Sequence, residues 1–591
     1  MKTFFLLSFL APWVFARSPL PHCRCTPHEP CWPSPSAWND LNKSVNGSLV
    51  AVEPVASICH AEPRGAACQA VRGQWTNSTW RAIHPGAVQW ENWEAWPEKD
   101  EYCYIETLHK PCGQGRVSLY SVQATSASDI QAAVRFAKEH NLRLAIKNSG
   151  HCFLGRSTAP ESLQIFTNRM TDIEIVDDFI PEGGTNSEGP TVTVSAGVNL
   201  KQLYATLGET GRIVVAGSAH TVGAAGGFIQ GGGHSFLGPW KGMASDHALQ
   251  FTVVTANGEL VIANKYRNSD LFWALRGGGG GTFGVVVNVT LRTFEEVPLV
   301  LTFLNITTPV GHPTFWDAMT AFHAHMPTLN DANGAGYYYI YPELPWNKSV
   351  SDFTTILMFP NHTDTARVDE LFSPLLTKLN DTPAVTVGYT SIQLPTINTL
   401  VTNYLMVTGA DHTGGIAHGG SRLFSRDLLV SGDGPQRLIQ TLKDLPWSHG
   451  SHAIGHIVAG GAVAANAETV DSALNPAWRE ALTHIIVGSL YPNPHASLEE
   501  QKELRYNITN IHVEALRSVE GSDRMGAYLN EADPYEKDFQ ASFWGANYAR
   551  LYDIKQKWDP EGLFIVRRGV GSEDWDEEGL CRMGGYRVRH D

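Results

Sequence analysis

Residues 214–235 read VVAGSAHTVGAAGGFIQGGGHS, a stretch with few bulky side chains that ends in three consecutive glycines. Because glycine has no Cβ atom, such a backbone can pack directly against something flat or extended. Residues 147–151, KNSGH, follow a predicted strand, and residues 276–284, RGGGGGTFG, precede one. Small residues at a strand end expose consecutive backbone N–H groups, which suit an anion such as pyrophosphate.

The third glycine segment contains Gly279-x-Gly281-x-x-Gly284, formally a dinucleotide-binding fingerprint. A strand follows it where a Rossmann unit requires a helix, and no acidic residue closes a βαβ unit at the expected distance. The fingerprint therefore does not indicate a Rossmann domain. A serine hydrolase is excluded because the sequence contains no GxSxG elbow.

Predicted strands and helices alternate around these glycines between residues 116 and 297, which indicates an α+β or α/β domain. Residues 126–141, SASDIQAAVRFAKEHN, predict an amphipathic helix that begins at a Ser or Asp cap. Its apolar stripe consists of Ile130, Ala133, Val134 and Ala137. The predicted strands include LRLAIK, TVTVSAG, LQFTVVTANGEL and GVVVNVTLRTF, with glycine or Asn-Gly between them.

A second domain is predicted from residue 298 to residue 529, where the glycine clusters disappear. Aromatic-rich strands such as GYYYIYP and THIIVGSLY alternate there with helical stretches. Residues 530–591 form the tail of the chain. This tail contains a predicted helix, NYARLYDIKQKW, which ends at Asp559-Pro560.

The first residues predict secretion. Residues 1–16, MKTFFLLSFLAPWVFA, have a basic start, an apolar run, and small residues at Val14 and Ala16, as a cleaved signal peptide requires. Nine Asn-x-Ser/Thr sequons predict N-linked glycans: Asn42, Asn46, Asn77, Asn288, Asn305, Asn347, Asn361, Asn380 and Asn507. Asn288 lies in a predicted strand, VVVNVTL, where a glycan is not expected. The chain is therefore predicted to be extracellular.

The cysteine count is odd, which in a secreted chain predicts disulfides and one free thiol. Seven of the nine cysteines lie between residues 23 and 112, within a Pro-, Trp- and Cys-rich region, residues 17–115. Cys581 lies near the C-terminus, and Cys152 stands alone beside His151. No CxxC pair or HExxH motif is present, so no metal site is predicted.

Composition excludes several classes of protein. The 591 residues include 44 Lys+Arg and 59 Asp+Glu, for a formal net charge of −15. This acidic balance argues against nucleic-acid or anionic-membrane partners, which favour a basic face. With 43% hydrophobic and 17% charged residues, general disorder is also excluded.

Taken in order, the three glycine segments resemble the berberine-bridge-enzyme-like branch of the vanillyl-alcohol-oxidase flavoprotein superfamily. The resemblance extends to the leader CRCTPHEPCWPSPSAWNDLN and the tail NYARLYDIKQKWDPEGLF, and is closest to secreted fungal isoamyl-alcohol-oxidase-like proteins. It implies an α+β fold: a two-part PCMH-type FAD-binding domain, residues 116–297 and 530–591, with an inserted sheet-and-helix substrate domain. The implied cofactor is FAD.

The resemblance also implies which residues contact FAD, with His151 linked covalently to the flavin. Around the pyrophosphate and isoalloxazine it places Asn148, Ser149, Gly150, Leu154, Gly155, Arg156 and Ser157. On the other side it places Gly217, Thr221, Val222, Gly223, Gly226, Gly227, Gln230, Gly231 and Gly232. Val254 is expected near the adenine, and Asn547 and Tyr548 are expected to close over the ring.

The sequence departs from the family pattern in two ways. Many relatives carry a second flavin link from a cysteine at the position of Ala219, so a single link through His151 is expected here. Relatives often have tyrosines where this chain has Phe153, His234 and Phe543. Alcohol oxidation requires a base, and histidine suits that role near neutral pH. His234 is the first candidate and His484 the second, and the acidic base of some relatives aligns near Asp471.

Val222 occupies a position that the family associates with oxygen access. The resemblance therefore implies a secreted oxidase that acts on an alcohol-type small molecule, with O2 as electron acceptor and H2O2 as product. Three alternatives stay open: an FAD dehydrogenase with another acceptor, a carbohydrate oxidase, and a catalytically silent secreted flavin-binding protein. The identity of the substrate is not encoded in any motif.

Overall fold

The computed structural model describes residues 23–583, except 407–410, 412, 449, 490–495 and 522–523. The predicted signal peptide lies outside these residues. In the described part, the structure combines helices with four sheets of four, five, two and seven strands. No helix in the described part is long and apolar enough to span a membrane.

The N-terminal region is a set of short helices held by disulfides. Its elements are α1 Pro35–Ser44, β1 Leu49–Ala51, α2 Ser57–Ala61, α3 Ala66–Gln74 and α4 Ser78–Ile83, with 3-10 turns at Glu91–Trp93 and Pro97–Lys99. The bridges are Cys23–Cys581, Cys25–Cys31, Cys59–Cys68 and Cys103–Cys112. Cys152 is free, so the prediction of eight bridged cysteines and one free thiol is confirmed.

The next part carries the glycine segments on two sheets. Its strands are β2 Tyr120–Gln123, β3 Arg143–Lys147, β4 Ser162–Phe166, β5 Ile173–Val176, β6 Thr191–Ser195, β7 Arg212–Ile213, β8 Ala248–Val254, β9 Leu260–Asn264, β10 Val285–Arg292 and β11 Phe294–Glu295. Its helices are α5 Ala127–Glu139, α6 Leu200–Gly208, α7 Gly238–Lys241 and α8 Ser269–Leu275, with a π-turn at Ala224–Phe228 and a 3-10 turn at Ala244–His247. The strand orders are β1-β2-β4-β3 and β5-β6-β10-β8-β9, and β7 pairs with β11.

Helix α5 shows how local sequence produces this part of the fold. Ser126 accepts from the backbone N–H of Asp129, and the Asp129 carboxylate accepts from the backbone N–H of Ser126, a complete capping box. The predicted apolar stripe, which includes Ile130 and Val134, is fully buried. The helix and its buried face are therefore as the sequence predicts.

Residues 299–518 build one large antiparallel sheet covered by helices. Its strands are β12 Leu299–Pro309, β13 Ala335–Tyr341, β14 Val350–Pro360, β15 Thr386–Leu394, β16 His418–Ser425, β17 His452–Ile457 and β18 Ala481–Ser489. Its helices are α9 Thr314–Asp331, α10 Thr365–Asn380, α11 Ile397–Leu400, α12 Arg426–Val430, α13 Gly434–Asp444, α14 Gly461–Ala465, α15 Ala477–Glu480, α16 Leu498–Asn507 and α17 Val513–Ser518. Two π-turns, Val401–Leu405 and Ile508–His512, and a 3-10 turn, Asn466–Glu468, complete the set. The strand order is β15-β12-β14-β13-β17-β18-β16.

This sheet has two different faces. One packs against α9, α10 and α13 in a hydrophobic core that includes Phe322, Phe353 and Leu438. The other presents Phe303, Tyr337 and neighbouring side chains to the core of the glycine-rich part. Polar side chains on that second face of β17 and β18 are therefore directed toward the glycine segments.

The C-terminal segment returns to the glycine-rich part. It consists of α18 Phe539–Trp544, a 3-10 turn Gly545–Asn547, α19 Tyr548–Trp558 and a 3-10 turn Ser572–Asp574. Leu551 and Ile554 of α19 join the same core as β8 and β10. The buried Lys555 ammonium donates to the Thr282 carbonyl at 2.7 Å, which ties the helix to the third glycine segment.

Candidate active site

The three glycine segments meet around one cavity that opens to solvent. The lining consists mainly of glycines, small residues and apolar side chains. From the predicted set it contains Asn148, Ser149, Gly150, His151, Arg156, Ser157, Val222, Gly223, Gly226, Gly227 and Gln230. The third segment contributes Gly280, Gly281 and Gly284. The structure therefore brings together residues that lie more than a hundred positions apart in the sequence.

Several positions of the cavity wall are glycines because a larger residue would not fit there. A Cβ atom at Gly223 would lie 1.9 Å from Asn148 Oδ1, and one at Gly280 would lie 2.9 Å from Gly227 Cα. Gly150 has φ +84°, which a residue with a Cβ atom rarely adopts. The glycines thus keep the three loops in contact and leave backbone as the cavity surface.

His151 lines the cavity at the end of the loop that follows β3. Its Nε2 atom lies 2.5 Å from Thr221 Oγ1 of the second glycine segment. Burial lowers the pKa of His151 to about 4, against the opposing effect of the Asp411 charge. The ring is therefore neutral at pH 7, with Nε2 engaged and Nδ1 without a hydrogen bond to the described residues.

Opposite the glycines, three histidines surround one carboxylate. We call this group the histidine–carboxylate cluster, and it consists of His234, His456, His484 and Glu531. His234 follows the triple glycine, His456 and His484 are paired in register on β17 and β18, and Glu531 precedes α18. Glu531 lines the cavity, and the three imidazoles are buried behind it.

The cluster is tightly connected. His234 Nε2 lies 3.2 and 3.3 Å from the two carboxylate oxygens of Glu531. His456 Nδ1 and His484 Nδ1 lie 3.7 and 3.6 Å from Glu531 Oε2. The two Nδ1 atoms are 3.2 Å apart. Trp478 and Tyr528 pack against these rings with centroid distances of 5.1 to 6.2 Å.

Electrostatics in the cluster favour the ionised form of the Glu531 carboxylate. Burial raises the pKa of Glu531, but the charge and hydrogen bond of His234 and the charge of His456 outweigh it, so the net shift is downward. Burial holds the pKa of His456 well below its usual range, although Glu531 opposes it. Burial, with a smaller effect of His234, does the same for His484. Glu531 is thus a carboxylate facing the cavity at neutral pH.

Several predicted residues support the cavity from behind and do not line it. These are Leu154, Gly155, Gly217, Thr221, Gly231, Gly232 and Val254, all outside the lining. Thr221 acts through its contact with His151. Val254, the last residue of β8, is buried in a core and pairs with the lining residue Val285 of β10.

The structure corrects the placement of Asp471. Its carboxylate accepts from Trp273 Nε1 at 2.6 Å and from Arg550, and its side chain is 75% exposed. It does not line the cavity and does not contact the histidine–carboxylate cluster. Asp471 therefore lies at the surface, bound by Trp273, outside the cavity.

Asn547 and Tyr548 are not among the residues that line the cavity. The Asn547 amide donates to the Leu474 carbonyl at 2.8 Å, and the Tyr548 hydroxyl binds Glu573. Both face away from the cavity because they begin α19, whose buried side packs on the core. Phe543 is likewise a buried core residue.

Residues 528–531, which read YLNE and lie ahead of α18, contribute to the cavity wall. Tyr528, Asn530 and Glu531 all line it. Asn530 Nδ2 donates to the Gly227 carbonyl at 3.0 Å, which joins the tail to the second glycine segment. Sequence reasoning missed these residues and His456, because no motif spacing connects them. A short polar run ahead of the C-terminal helix was the available signal.

Comparison with known proteins agrees with this site. The family described as FAD binding domain matches residues 118–264, and the family described as berberine and berberine like matches residues 527–571. An uncharacterized FAD-linked oxidoreductase of Arthroderma benhamiae is 48% identical over 583 residues, covering 98% of each chain. The chain belongs to the vanillyl-alcohol-oxidase and berberine-bridge-enzyme-like FAD-linked oxidoreductases.

Further relatives support the same assignment. The FAD-linked oxidoreductase malF of Malbranchea aurantiaca is 40% identical over 578 residues, covering 96% of this chain and 95% of malF. The crystal structure of the VAO-type flavoprotein MtVAO615 from Myceliophthora thermophila C1 superposes with a TM-score of 0.84 at 31% identity. It covers 95% of this chain and 100% of MtVAO615. The predicted α+β fold with a PCMH-type FAD-binding domain is confirmed.

The residues of this FAD-linked oxidoreductase fit the cofactor. The cavity wall between Gly223, Gly226 and Gly280 is backbone, as a flat ring system requires. Gln230 Oε1 is buried with no hydrogen-bond partner among the described residues. Arg156 lines the cavity and donates only to the carbonyls of Arg567 and Arg568 among the described residues, so its charge is available to an anion.

Proposed function

We propose that this enzyme is a secreted oxidase that oxidises an alcohol-type small molecule with FAD held by one covalent bond through His151. The observation that carries the proposal is the neutral His151 ring inside the glycine-walled cavity, opposite an ionised carboxylate. One side of the cavity thus offers a nucleophilic imidazole to the cofactor. The other side offers a proton acceptor to a substrate.

The contacts of His151 support a single link. Thr221 engages Nε2, so Nδ1 is the nitrogen left to bond the flavin. Ala219 lines the same cavity and has no nucleophilic atom to supply a second bond. Cys152 also lines the cavity, but it is adjacent to His151 in the chain and does not occupy the position of Ala219.

The proposed chemistry needs a base beside the oxidised carbon. Bound FAD would supply the hydride acceptor and deliver both electrons to O2 as H2O2. Glu531 would accept the hydroxyl proton of the substrate, and His234, hydrogen-bonded to both carboxylate oxygens, would share it. His484 contributes from behind, through Glu531 Oε2 at 3.6 Å. The two predicted histidines therefore act through a carboxylate.

Val222 supports the use of O2. It lines the cavity beside Ala219 and Gly223 and is only partly buried. A valine leaves more space there than a leucine would. A dehydrogenase that passes electrons to a quinone or another acceptor is the alternative, and the rate of flavin reoxidation in air separates the two.

Secretion and glycosylation complete the proposal. The four disulfides suit an oxidising compartment. The exposed sequon asparagines are Asn46, Asn347, Asn361 and Asn380. Asn288 lies in the central strand β10, and the Asn305 amide donates to Asp352 at 2.7 Å, so neither is expected to carry a glycan.

The covalent bond is tested by acid precipitation. We expect the wild-type protein to stay yellow after denaturation and washing, and a tryptic peptide containing His151 to carry the mass of FAD. Flavin that washes out freely from the wild type would refute the covalent link.

The reaction is tested by anaerobic flavin bleaching with panels of alcohols, polyols, phenols and oligosaccharides. We expect an alcohol to bleach the flavin and H2O2 to appear on admission of air. Bleaching only by oligosaccharides would indicate a carbohydrate oxidase. Bleaching by no compound would favour a silent flavin-binding protein.

A further inference from the structure

Four metal-ligating side chains converge in the histidine–carboxylate cluster. Each of the three imidazoles points a ring nitrogen at Glu531, at 3.2 to 3.7 Å from a carboxylate oxygen. The donor atoms of His234, His456 and Glu531 all lie within 4.8 Å of one another. Ordinary packing of one histidine against one carboxylate does not require two further imidazoles directed at the same point.

The spacing matches a coordination shell. Zinc bonds to imidazole nitrogen and carboxylate oxygen are about 2.1 Å long, so tetrahedral ligand atoms lie about 3.4 Å apart. The His456 and His484 Nδ1 atoms are 3.2 Å apart. The distances from the three imidazoles to Glu531 bracket the same value. Three of these atoms, from His234, His456 and Glu531, are close enough to bind one ion, and His484 would have to shift toward His234 to complete the shell.

We propose that the histidine–carboxylate cluster is a binding site for one divalent first-row transition metal ion, with zinc as the reference ion. Three imidazoles and one carboxylate are donors that such ions prefer, whereas calcium and magnesium prefer all-oxygen sites. Glu531 lines the open cavity and its side chain is 21% exposed. An ion can therefore reach the buried imidazoles through the cavity mouth.

The site is separate from the other grouping of potential ligands. Cys25 and Cys31 lie near Glu29, but they are joined in a disulfide and offer no thiolate. Within the described residues, the histidine–carboxylate cluster is thus the grouping with free donors. One bound ion per chain is the expected stoichiometry.

Metal binding would have a consequence for catalysis that rests on the proposed function. An ion bound to Glu531 and His234 occupies the lone pairs that the proposed base uses. The metal-loaded form and the proton-accepting form would therefore exclude each other, and zinc would inhibit substrate-driven flavin bleaching reversibly.

The test measures zinc binding to the purified, flavin-containing protein without substrate. The protein is treated with EDTA, dialysed and equilibrated with ZnCl2. Bound zinc is then measured by inductively coupled plasma mass spectrometry. We expect one zinc per chain in the wild type and at least a 100-fold weaker affinity in the double variant His456→Ala/His484→Ala. Cobalt(II) should add an absorption band beyond the flavin spectrum in the wild type only.

Two further variants make the result decisive. Glu531→Gln keeps the size of the side chain and removes the anionic ligand, so it should weaken zinc binding without the risk of an emptied core. His325→Ala changes a histidine outside the cluster, whose Nε2 binds the Leu371 carbonyl, and should retain full binding. Zinc content near zero in the wild type, or equal in all four proteins, would overturn the proposal.

This measurement does not depend on turnover. Zinc bound without any substrate-driven bleaching would support the metal site and count against the oxidase. Bleaching without zinc binding would support the oxidase and identify the cluster as a metal-free proton acceptor.

Discussion

The two faces of the cavity are built in different ways. The glycine face comes from three continuous segments, and each of them is recognisable in the sequence by its composition. The second face, the histidine–carboxylate cluster, takes its members from four separate places: the end of the second glycine segment, two strands of the large sheet and the tail. Contacts between the protein backbone and a bound ligand require local runs of glycine. A cluster of side chains requires only that the fold brings single residues together.

The difference extends to how each face would respond to substitution. The glycine face depends on the absence of atoms, so adding a methyl group is disruptive there. The cluster depends on the presence of specific polar atoms, so removing a charge is disruptive there. The predictions below test this division, from the largest expected effect to the smallest.

His151→Ala should abolish the covalent flavin completely, because no other nucleophilic side chain occupies its place. The measurement is flavin absorbance of the acid-precipitated protein. His362→Ala, which changes a histidine outside the cavity, is the control and should stay fully yellow. Retained flavin in His151→Ala would move the covalent link to another residue of the glycine face.

Glu531→Gln should slow anaerobic flavin bleaching by at least about 100-fold with the fastest alcohol of the panel, since loss of a general base typically costs that much. Although burial raises it, the pKa of Glu531 is shifted downward by His234 and His456, so the wild-type rate should show no titration of this carboxylate around neutral pH. Asp471→Asn, at an exposed carboxylate outside the cavity, should bleach at the wild-type rate. An equal loss in both variants would contradict the corrected placement of Asp471.

Gly223→Ala should lower flavin incorporation and thermal stability, because the new Cβ would lie 1.9 Å from Asn148 Oδ1 and displace it. Overpacking of this kind costs about 1–3 kcal/mol. Gly73→Ala provides the contrast: a Cβ at Gly73, in helix α3, meets nothing within 4 Å, and alanine favours helix by up to about 1 kcal/mol. Flavin content and melting temperature are measured for both variants, and an undisturbed Gly223→Ala protein would show that the glycine face tolerates added atoms.

His323→Gln should reduce the acid sensitivity of the fold by a small amount. Burial in the core of the large sheet lowers the pKa of His323 to about 4, while an unfolded histidine titrates near about 6.5. The unfolded state therefore binds more protons between these values, and stability is lost as pH falls from about 6.5 to 4, by up to about 1.4 kcal/mol per pH unit. The difference between the melting temperatures at pH 7 and pH 5 should shrink in the variant.

His323 also distinguishes the effect of burial on a histidine pKa from the effect of belonging to the histidine–carboxylate cluster. Among the described residues, its ring forms hydrogen bonds with the Met319 carbonyl and the Tyr338 hydroxyl. If its substitution leaves the pH dependence unchanged, the acid sensitivity belongs to other buried groups, such as His418, whose pKa is lowered to about 3 by burial.

Sequence reasoning predicted much of the fold, for local reasons. Helix α5 carries its own cap and its own apolar stripe, and β10 carries a run of β-branched residues, so each element is specified by its neighbours in the chain. The free Cys152 followed from the odd cysteine count and its isolation from the others. The tail helix was predicted at its observed position, but the lining that the tail contributes, Tyr528, Asn530 and Glu531, lies ahead of that helix and was not predicted.

The sequence by itself determined the glycine face of this protein, because that wall is made of runs of small residues that are visible in the sequence. Only the tertiary structure determined the histidine–carboxylate cluster. Glu531 reaches the cavity because the tail packs on the second glycine segment, and His456 meets His484 because β17 and β18 pair in one register. Neither contact leaves a local pattern, because it joins single residues from distant segments whose meeting depends on the packing of the whole chain.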